Sequence, residues 1–218
     1  MTYIIGMISQ KGGAGKSTLA RLFARELASG GFSVKIADLD TQQQTSALWA
    51  SDRAENGLAP LIRAETFAHV KTALQDASGF DAYLLDGRPH ADTQTLEIAR
   101  ASDLVVIPTN ETKDSLRPAV ALANSLADSG VPVAKIVFAL TMTTSDAEMR
   151  AARDYLAQSD FDTLAGFLPS STGYKKALDE GKALTETGFP TLNAKAETLA
   201  QSLIDRLASL TTNKKEVA

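Results

Sequence analysis

The chain has 218 residues, 44% of them hydrophobic, and its 22 basic and 26 acidic side chains leave a net charge of −4. That predicts one large domain with a sizeable core rather than two domains, and the acidic balance argues against a constitutively basic nucleic-acid binder. The absence of cysteine excludes thiolate-held iron–sulfur clusters, cysteine zinc sites and a disulfide scaffold, and it suits a cytoplasmic setting.

Tyr3–Ser9 is an apolar run of strand type. A glycine-rich turn follows it, and then the helical pattern of Lys16–Ser29. Further along, strands are predicted at Ser33–Asp38, Ala82–Asp86, Leu104–Pro108, Ala134–Thr141 and Leu164–Leu168, with a weaker one at Leu58–Arg63. Between them lie helical patterns at Thr45–Glu55, Phe67–Ala77, Thr93–Ala101, Ser115–Ser129, Asp146–Ser159, Tyr174–Glu180 and Leu192–Leu210. The strands are nearly continuous in Val, Ile and Leu, as in sheets covered on both faces. Strands alternating with helices imply right-handed crossovers. The expected fold is therefore α/β, a doubly wound, mainly parallel sheet with helices on both faces. Residues 1–210 form the expected domain, and the polar end 211–218 is expected to fray.

Gln10-Lys11-Gly12-Gly13-Ala14-Gly15-Lys16-Ser17-Thr18 joins the first strand to the first helix. Three glycines let successive backbone N–H groups point inward with no Cβ in the way. The helix N-terminus adds partial positive charge. Such a loop cradles phosphates, with Lys16 reaching the β- and γ-phosphates and the Ser17 hydroxyl available to Mg²⁺. The strict pattern G-x-x-x-x-G-K-[ST] fails at Gln10, where its first glycine would stand. Lys11 is a spare cation beside this site. Ser33–Asp38 runs into Asp38-Leu39-Asp40-Thr41-Gln42-Gln43-Gln44. Two carboxylates at a strand's carboxyl end suit a cation and an attacking water near a triphosphate. Ala82–Asp86 ends in Asp86-Gly87-Arg88-Pro89, an apolar strand closed by a carboxylate that can help hold Mg²⁺. Gly87 would let backbone approach the γ-phosphate, and Arg88 reads as a solvated cation.

The K-G-G-x-G-K-[ST] loop resembles the deviant Walker A loop of the ParA/MinD family of P-loop ATPases. In that family the extra lysine, here Lys11, reaches the partner's nucleotide in an ATP-sandwich dimer. The resemblance implies ATP and Mg²⁺ as cofactors. It assigns the nucleotide to Lys11, Gly12, Gly13, Ala14, Gly15, Lys16, Ser17 and Thr18. Catalysis falls to Lys11, Lys16 and Asp40, with Asp40 positioning the hydrolytic water, and the metal to Ser17, Asp38 and Asp86. The family has D-x-D-P-Q where this chain has Thr41 in place of the proline, a less rigid turn that leaves the aim of Gln42 open.

Phe138-Ala139-Leu140-Thr141-Met142 ends a strand where relatives contact the base, so Thr141 and Met142 are candidate adenine contacts. Leu168-Pro169-Ser170-Ser171-Thr172-Gly173-Tyr174 resembles the segment I-P-x-R-x-x-Y-x-x-A without its arginine, and Pro169 is a candidate adenine wall. Relatives bind DNA without sequence preference through late basic residues. Lys175, Lys176 and Lys195 are the candidates here, then Lys182, with Arg150 and Arg153 behind them.

The expected protein is a ParA-type partition ATPase. Its expected partners are a second copy of itself in an ATP-dependent homodimer, non-specific DNA, and a ParB-like centromere- or cargo-bound protein. It would be cytoplasmic and associated with the nucleoid. No operator-binding helix-turn-helix precedes the loop, which points to the short plasmid-type members. A ParA-like ATPase positioning a protein organelle or chemoreceptor array shares every motif. A MinD-like regulator is disfavoured because the chain ends Thr-Thr-Asn-Lys-Lys-Glu-Val-Ala, too polar for a membrane-targeting helix. No apolar run approaches a membrane span, and the first lacks the basic flank of a signal peptide. Trp49 reads as core or interface packing. His69 and His90 have no metal-binding company.

Overall fold

The structure is a computed structural model that describes residues 2–89 and 93–216. Strands and helices alternate along the chain. In order they are β1 (Tyr3–Met7), α1 (Lys16–Ser29), β2 (Val34–Asp38), α2 (Thr45–Glu55), β3 (Arg63–Thr66), α3 (Val70–Asp76), β4 (Ala82–Asp86), α4 (Thr93–Ala101), β5 (Leu104–Thr109), α5 (Lys113–Asp128), β6 (Ile136–Leu140), α6 (Asp146–Leu156), β7 (Asp162–Thr163), α7 (Thr172–Asp179) and α8 (Pro190–Glu216). The strands form one seven-stranded sheet in the order β3-β2-β4-β1-β5-β6-β7. Every pairing among the described residues is parallel.

The continuous apolar strands are buried on both faces because helices cover both sides. Adjacent residues of a strand point to opposite faces, and the core divides accordingly. Ile5, Met7 and Ile36 pack with Leu19, Leu22 and Phe23 of α1 and with Leu199 and Leu203 of α8. Ile4, Tyr83 and Leu85 face the other layer, with Val70, Ile98, Leu116 and Leu122 of α3, α4 and α5.

Three elements differ from expectation. Leu164–Leu168 is not a strand: β7 is Asp162–Thr163, and beyond it the chain runs as a loop with an isolated bridge from Thr143 to Pro169. Buried Leu164 and Leu168 pack in the core and donate their N–H groups to Phe138 and Leu140 of β6 at 2.8 and 3.0 Å, but left-handed Gly166 at φ 79° lies between them and no continuous ladder forms. The strand looked for at Leu58–Arg63 begins instead at Arg63, one residue beyond buried Ile62. Backbone helix in α8 runs past Leu210 to Glu216. His90 lies outside the described residues, as do Val217 and Ala218.

The sheet order places β1 centrally, with β4 on one side and β5 on the other. The chain builds outward one way to β3, returns to β4, then crosses β1 to β5. In such sheets ligands bind beyond the carboxyl ends of the strands near that reversal. The register makes this concrete: Asp86 pairs with Met7 across one ladder and with Asp38 across the other. The glycine loop and both strand-end carboxylates therefore share one level of one edge.

Candidate functional site

The glycine loop turns from β1 into α1 through two left-handed residues, Gly13 at φ 72° and Gly15 at φ 106°. Gly15 caps α1 without a side-chain bond. A Cβ on it would come within 3.3 Å of the Thr141 side chain. Thr141 instead braces the loop, its buried hydroxyl donating to the Ala14 carbonyl at 2.8 Å.

Lys16 is buried, and its ammonium donates to the Lys11 carbonyl at 3.4 Å. Burial pushes its pKa below the ordinary lysine value, while the charges of Asp86 and Asp40 oppose that shift. Lys11 itself is exposed and donates to the Ser115 hydroxyl at 3.4 Å.

Asp38 and Asp86 lie side by side but are engaged differently. Asp38 accepts the Asp40 N–H at Oδ1, 3.1 Å, and the Ser46 and Ala47 N–H groups at Oδ2, 2.8 and 3.2 Å. It thus anchors the first turn of α2, where unpaired N–H groups favour an anion. Burial raises its pKa and those backbone donors oppose the rise. Asp86 accepts the Ser46 hydroxyl at Oδ2, 2.7 Å, whereas its Oδ1 is buried with no hydrogen-bond partner. Burial pushes the Asp86 carboxyl up to about 6, opposed by the Ser46 and Ser17 hydroxyls and added to by the Asp38 charge.

An orphaned buried carboxylate oxygen is costly. Together with the nearby Ser17 hydroxyl it suits a hard cation with oxygen ligands. Among the described residues no three His, Cys, Asp or Glu side chains converge as a metal cage. A cation here would take its remaining ligands from phosphate and water, the habit of Mg²⁺.

Asp40 stands at the mouth of the site. Its Oδ1 accepts the Gln42 and Gln43 N–H groups at 3.1 and 3.0 Å, and no hydrogen bond among the described residues engages its Oδ2. The Gln44 side chain donates back to the Thr41 carbonyl at 3.2 Å. These bonds stiffen the turn in the absence of the proline. Gly87 follows β4 because a Cβ there would lie 2.9 Å from the Met7 carbonyl.

These groups open on a cavity of about 400 Å³, in the range of small-molecule sites. Its phosphate-type end is made by Gly12–Thr18, Asp40, Gln43 and Gly87. Its other end is made by Met142, Leu168, Pro169, Tyr174 and Leu178. Thr141, Met142 and Pro169 all line it, as does Lys175 from the DNA-contact candidates. The other lysine candidates face acidic or aromatic neighbours. Lys182 pairs with Glu180 at 2.7 Å, and Lys176 lies 4.0 Å from the same carboxylate. Lys195 sits over the Phe167 ring and 3.9 Å from Asp146. Arg153 is tied to the Leu164 and Gly166 carbonyls, and Arg150 is exposed. A second cavity, of about 260 Å³, lies on the other side of the glycine loop, lined by Lys11, Ile107, Ser115 and Leu122 among others.

Sequence reasoning did not reach Ser46, which bonds both aspartates, or Gln43, which joins Asp40 in the cavity wall. The polar run after Asp40 was the signal that one of its side chains must turn inward. Nor did it reach the stack around Trp49, whose ring has the Arg21 guanidinium 5.8 Å from its centroid and the Arg53 guanidinium at 5.6 Å.

Residues 5–185 match the CobQ/CobB/MinD/ParA nucleotide binding domain. The chain belongs to this ParA/MinD family. It is 33% identical over 134 residues to the chromosome-partitioning ATPase Soj of Thermus thermophilus, a match covering 48% of this chain and 53% of that protein. The chain thus spans about half the length of the curated relative it matches. MinD of Pyrococcus horikoshii, solved with Mg-ADP, superposes with a TM-score of 0.75 at 18% identity, covering 95% of this chain and 98% of that one. A putative plasmid partition protein of Borrelia burgdorferi bound to AMPPNP gives 0.72 at 16%, covering 94% and 100%. Both likenesses are of fold. Among the described residues no helix is long and apolar enough to cross a membrane.

Proposed function

We propose that this ParA/MinD-family chain is a partition ATPase. It binds ATP with Mg²⁺, pairs with a second copy across the nucleotides, and binds DNA without sequence preference. A partner bound to a centromere or cargo, ParB-like in kind, stimulates it to hydrolyse ATP. One observation carries this reading: the two lysines of the glycine loop serve different spaces. Lys16 lines the large cavity with Ser17 and Asp40, whereas Lys11 lines the second cavity and not the first. A cation displaced from its own phosphate site is free to serve another subunit's.

The triphosphate lies along Gly12–Thr18, with Lys16 on the β- and γ-phosphates and the base between Met142 and Pro169. Ser17 and Asp86 would hold the metal, and Asp38 fixes α2 beside them. Mg²⁺ neutralises charge on the phosphates when bound. Asp40 orients the attacking water, its carboxylate held by the turn that follows it.

The DNA arm is tested by retardation of a non-specific duplex at low salt. ATP-loaded protein shifts the duplex, the ADP form does not, and the shift weakens steeply with added salt. No shift with ATP would remove the partition reading. Lys11→Ala is expected to keep ATP affinity within about threefold while losing the ATP-dependent dimer in light scattering. Affinity lost as far as in a Lys16 variant would show that Lys11 serves its own subunit.

Asp40→Ala is expected to bind ATP normally and hydrolyse it about 100-fold more slowly, so that ATP dimers accumulate. Turnover at the parent rate would move the water elsewhere.

A further inference from the structure

We propose that Gln43 is a further catalytic residue of this site, its carboxamide holding the attacking water between Asp40 and the γ-phosphate. The inference rests on the ATPase function proposed for the chain. Three glutamines follow Asp40-Thr41, and the fold gives them different tasks. Gln44 is left-handed at φ 48° and its side chain is spent on the Thr41 carbonyl. Gln42 contributes its N–H to Asp40 and lies outside the cavity wall. Gln43 alone of the three lines the cavity, together with Asp40, Gly12 and Gly87. Its carboxamide makes no hydrogen bond among the described residues, while its backbone N–H is fixed to Asp40 Oδ1 at 3.0 Å. One tight turn therefore fixes the Gln43 backbone beside the Asp40 carboxylate, and the unengaged carboxamide reaches the cavity from there. The turn is closed by the Gln44 N–H donating to the Asp40 carbonyl at 2.9 Å.

The chemistry needs both groups. An ionised carboxylate only accepts hydrogen bonds, whereas a primary amide accepts at oxygen and donates at nitrogen. Gln43 Oε1 can accept a hydrogen bond from the water while Nε2 donates to a γ-phosphoryl oxygen, aligning the water with the phosphorus. In hydrolysis the water oxygen bonds to the γ-phosphorus. The bond from that phosphorus to the β,γ-bridging oxygen breaks, and its electron pair leaves on ADP. One water proton passes by way of Asp40 to solvent, and the products are ADP and inorganic phosphate. Phosphoryl transfer draws mainly on positioning and charge, so an aligned amide acts on rate rather than on affinity.

Alanine at position 43 keeps the N–H that holds Asp40, so the turn survives the test. Single-turnover hydrolysis and ATP titration are measured for the parent chain, Gln43→Ala, Gln43→Glu and Gln42→Ala. Gln43→Ala is expected to lower kcat at least about 10-fold with KM and ATP affinity within about threefold. Gln43→Glu, which loses the donor, falls with it, and Gln42→Ala stays at the parent rate. Turnover of Gln43→Ala within about twofold of the parent overturns the inference alone. A parallel loss of ATP affinity also overturns it, since that marks a nucleotide-binding role. A parent chain that hydrolyses no ATP overturns the ATPase reading and this inference together.

Discussion

In a direct titration, Lys16→Ala is expected to bind ATP about 100-fold more weakly than the parent chain. The ammonium is buried, and among the described residues it has only the Lys11 carbonyl as a direct partner, at 3.4 Å. Asp86 and Asp40 act on it through their charges and keep it protonated against the pull of burial. A triphosphate offers this preplaced cation strong acceptors. Hydrogen bonds to charged groups contribute about 1.5–3 kcal/mol each, and the loss of one or two accounts for the expected factor. Alanine suits the first turn of α1, so the melting temperature stays near the parent value. Affinity within about threefold of the parent would remove Lys16 from the phosphate site.

Arg53→Ala is expected to destabilise the fold by about 3–5 kcal/mol, a large share of a typical domain's margin. The Arg53 side chain has no exposed surface. It donates to Glu186 at 2.7 and 2.9 Å and to the carbonyls of Ala59, Pro60 and Gly181. It thus ties α2 to the loops before β3 and after α7. Removing it empties the space its buried side chain fills and takes donors from half-buried Glu186 and three carbonyls, leaving Glu186 only Arg25 and the Ala183 N–H. Arg53→Lys is expected to rescue little, because an ammonium cannot reproduce the planar fork. Urea unfolding measures the loss, and a midpoint unchanged in Arg53→Ala would deny the clamp its role.

The same pair predicts a pH dependence. Arg53 and Arg25 hold the Glu186 carboxyl below its ordinary value, against an opposing burial effect. A depressed folded pKa gives stability that is fully present above the unfolded pKa of about 4.3. It is lost as pH falls through the folded value. Glu186→Gln is therefore expected to show a smaller loss of urea midpoint on acidification below about pH 4 than the parent. An equal loss in both would place the acid sensitivity elsewhere.

Much of the site was legible because its chemistry is local in sequence. A phosphate loop needs consecutive N–H groups and a lysine within one turn, so residues 10–18 display it without any tertiary contact. Asp38 and Asp86 were legible as strand-end carboxylates. Their different duties were not, because those depend on Ser46, which approaches both from α2. Thr141 was expected at the base. It lines the cavity, and its hydroxyl also supports Ala14 across 127 residues of chain, a contact that no local pattern records. Leu164–Leu168 read as a strand because its ends are buried and apolar, and both do bond β6; the left-handed turn at Gly166 between them breaks the ladder.

By itself, then, the sequence determined that a strand, a glycine loop and a helix would make a phosphate cradle in a parallel α/β sheet. Periodicity and glycine placement act over a few residues, and that suffices for such a motif. The tertiary structure decided which carboxylate keeps an open oxygen, which glutamine faces the cavity, and which lysine turns away from it. Those outcomes depend on register between strands and on which helix N-terminus lands beside which strand end. Lys11 and Lys16 are five residues apart and alike in charge, and only the folded loop sends them into separate cavities.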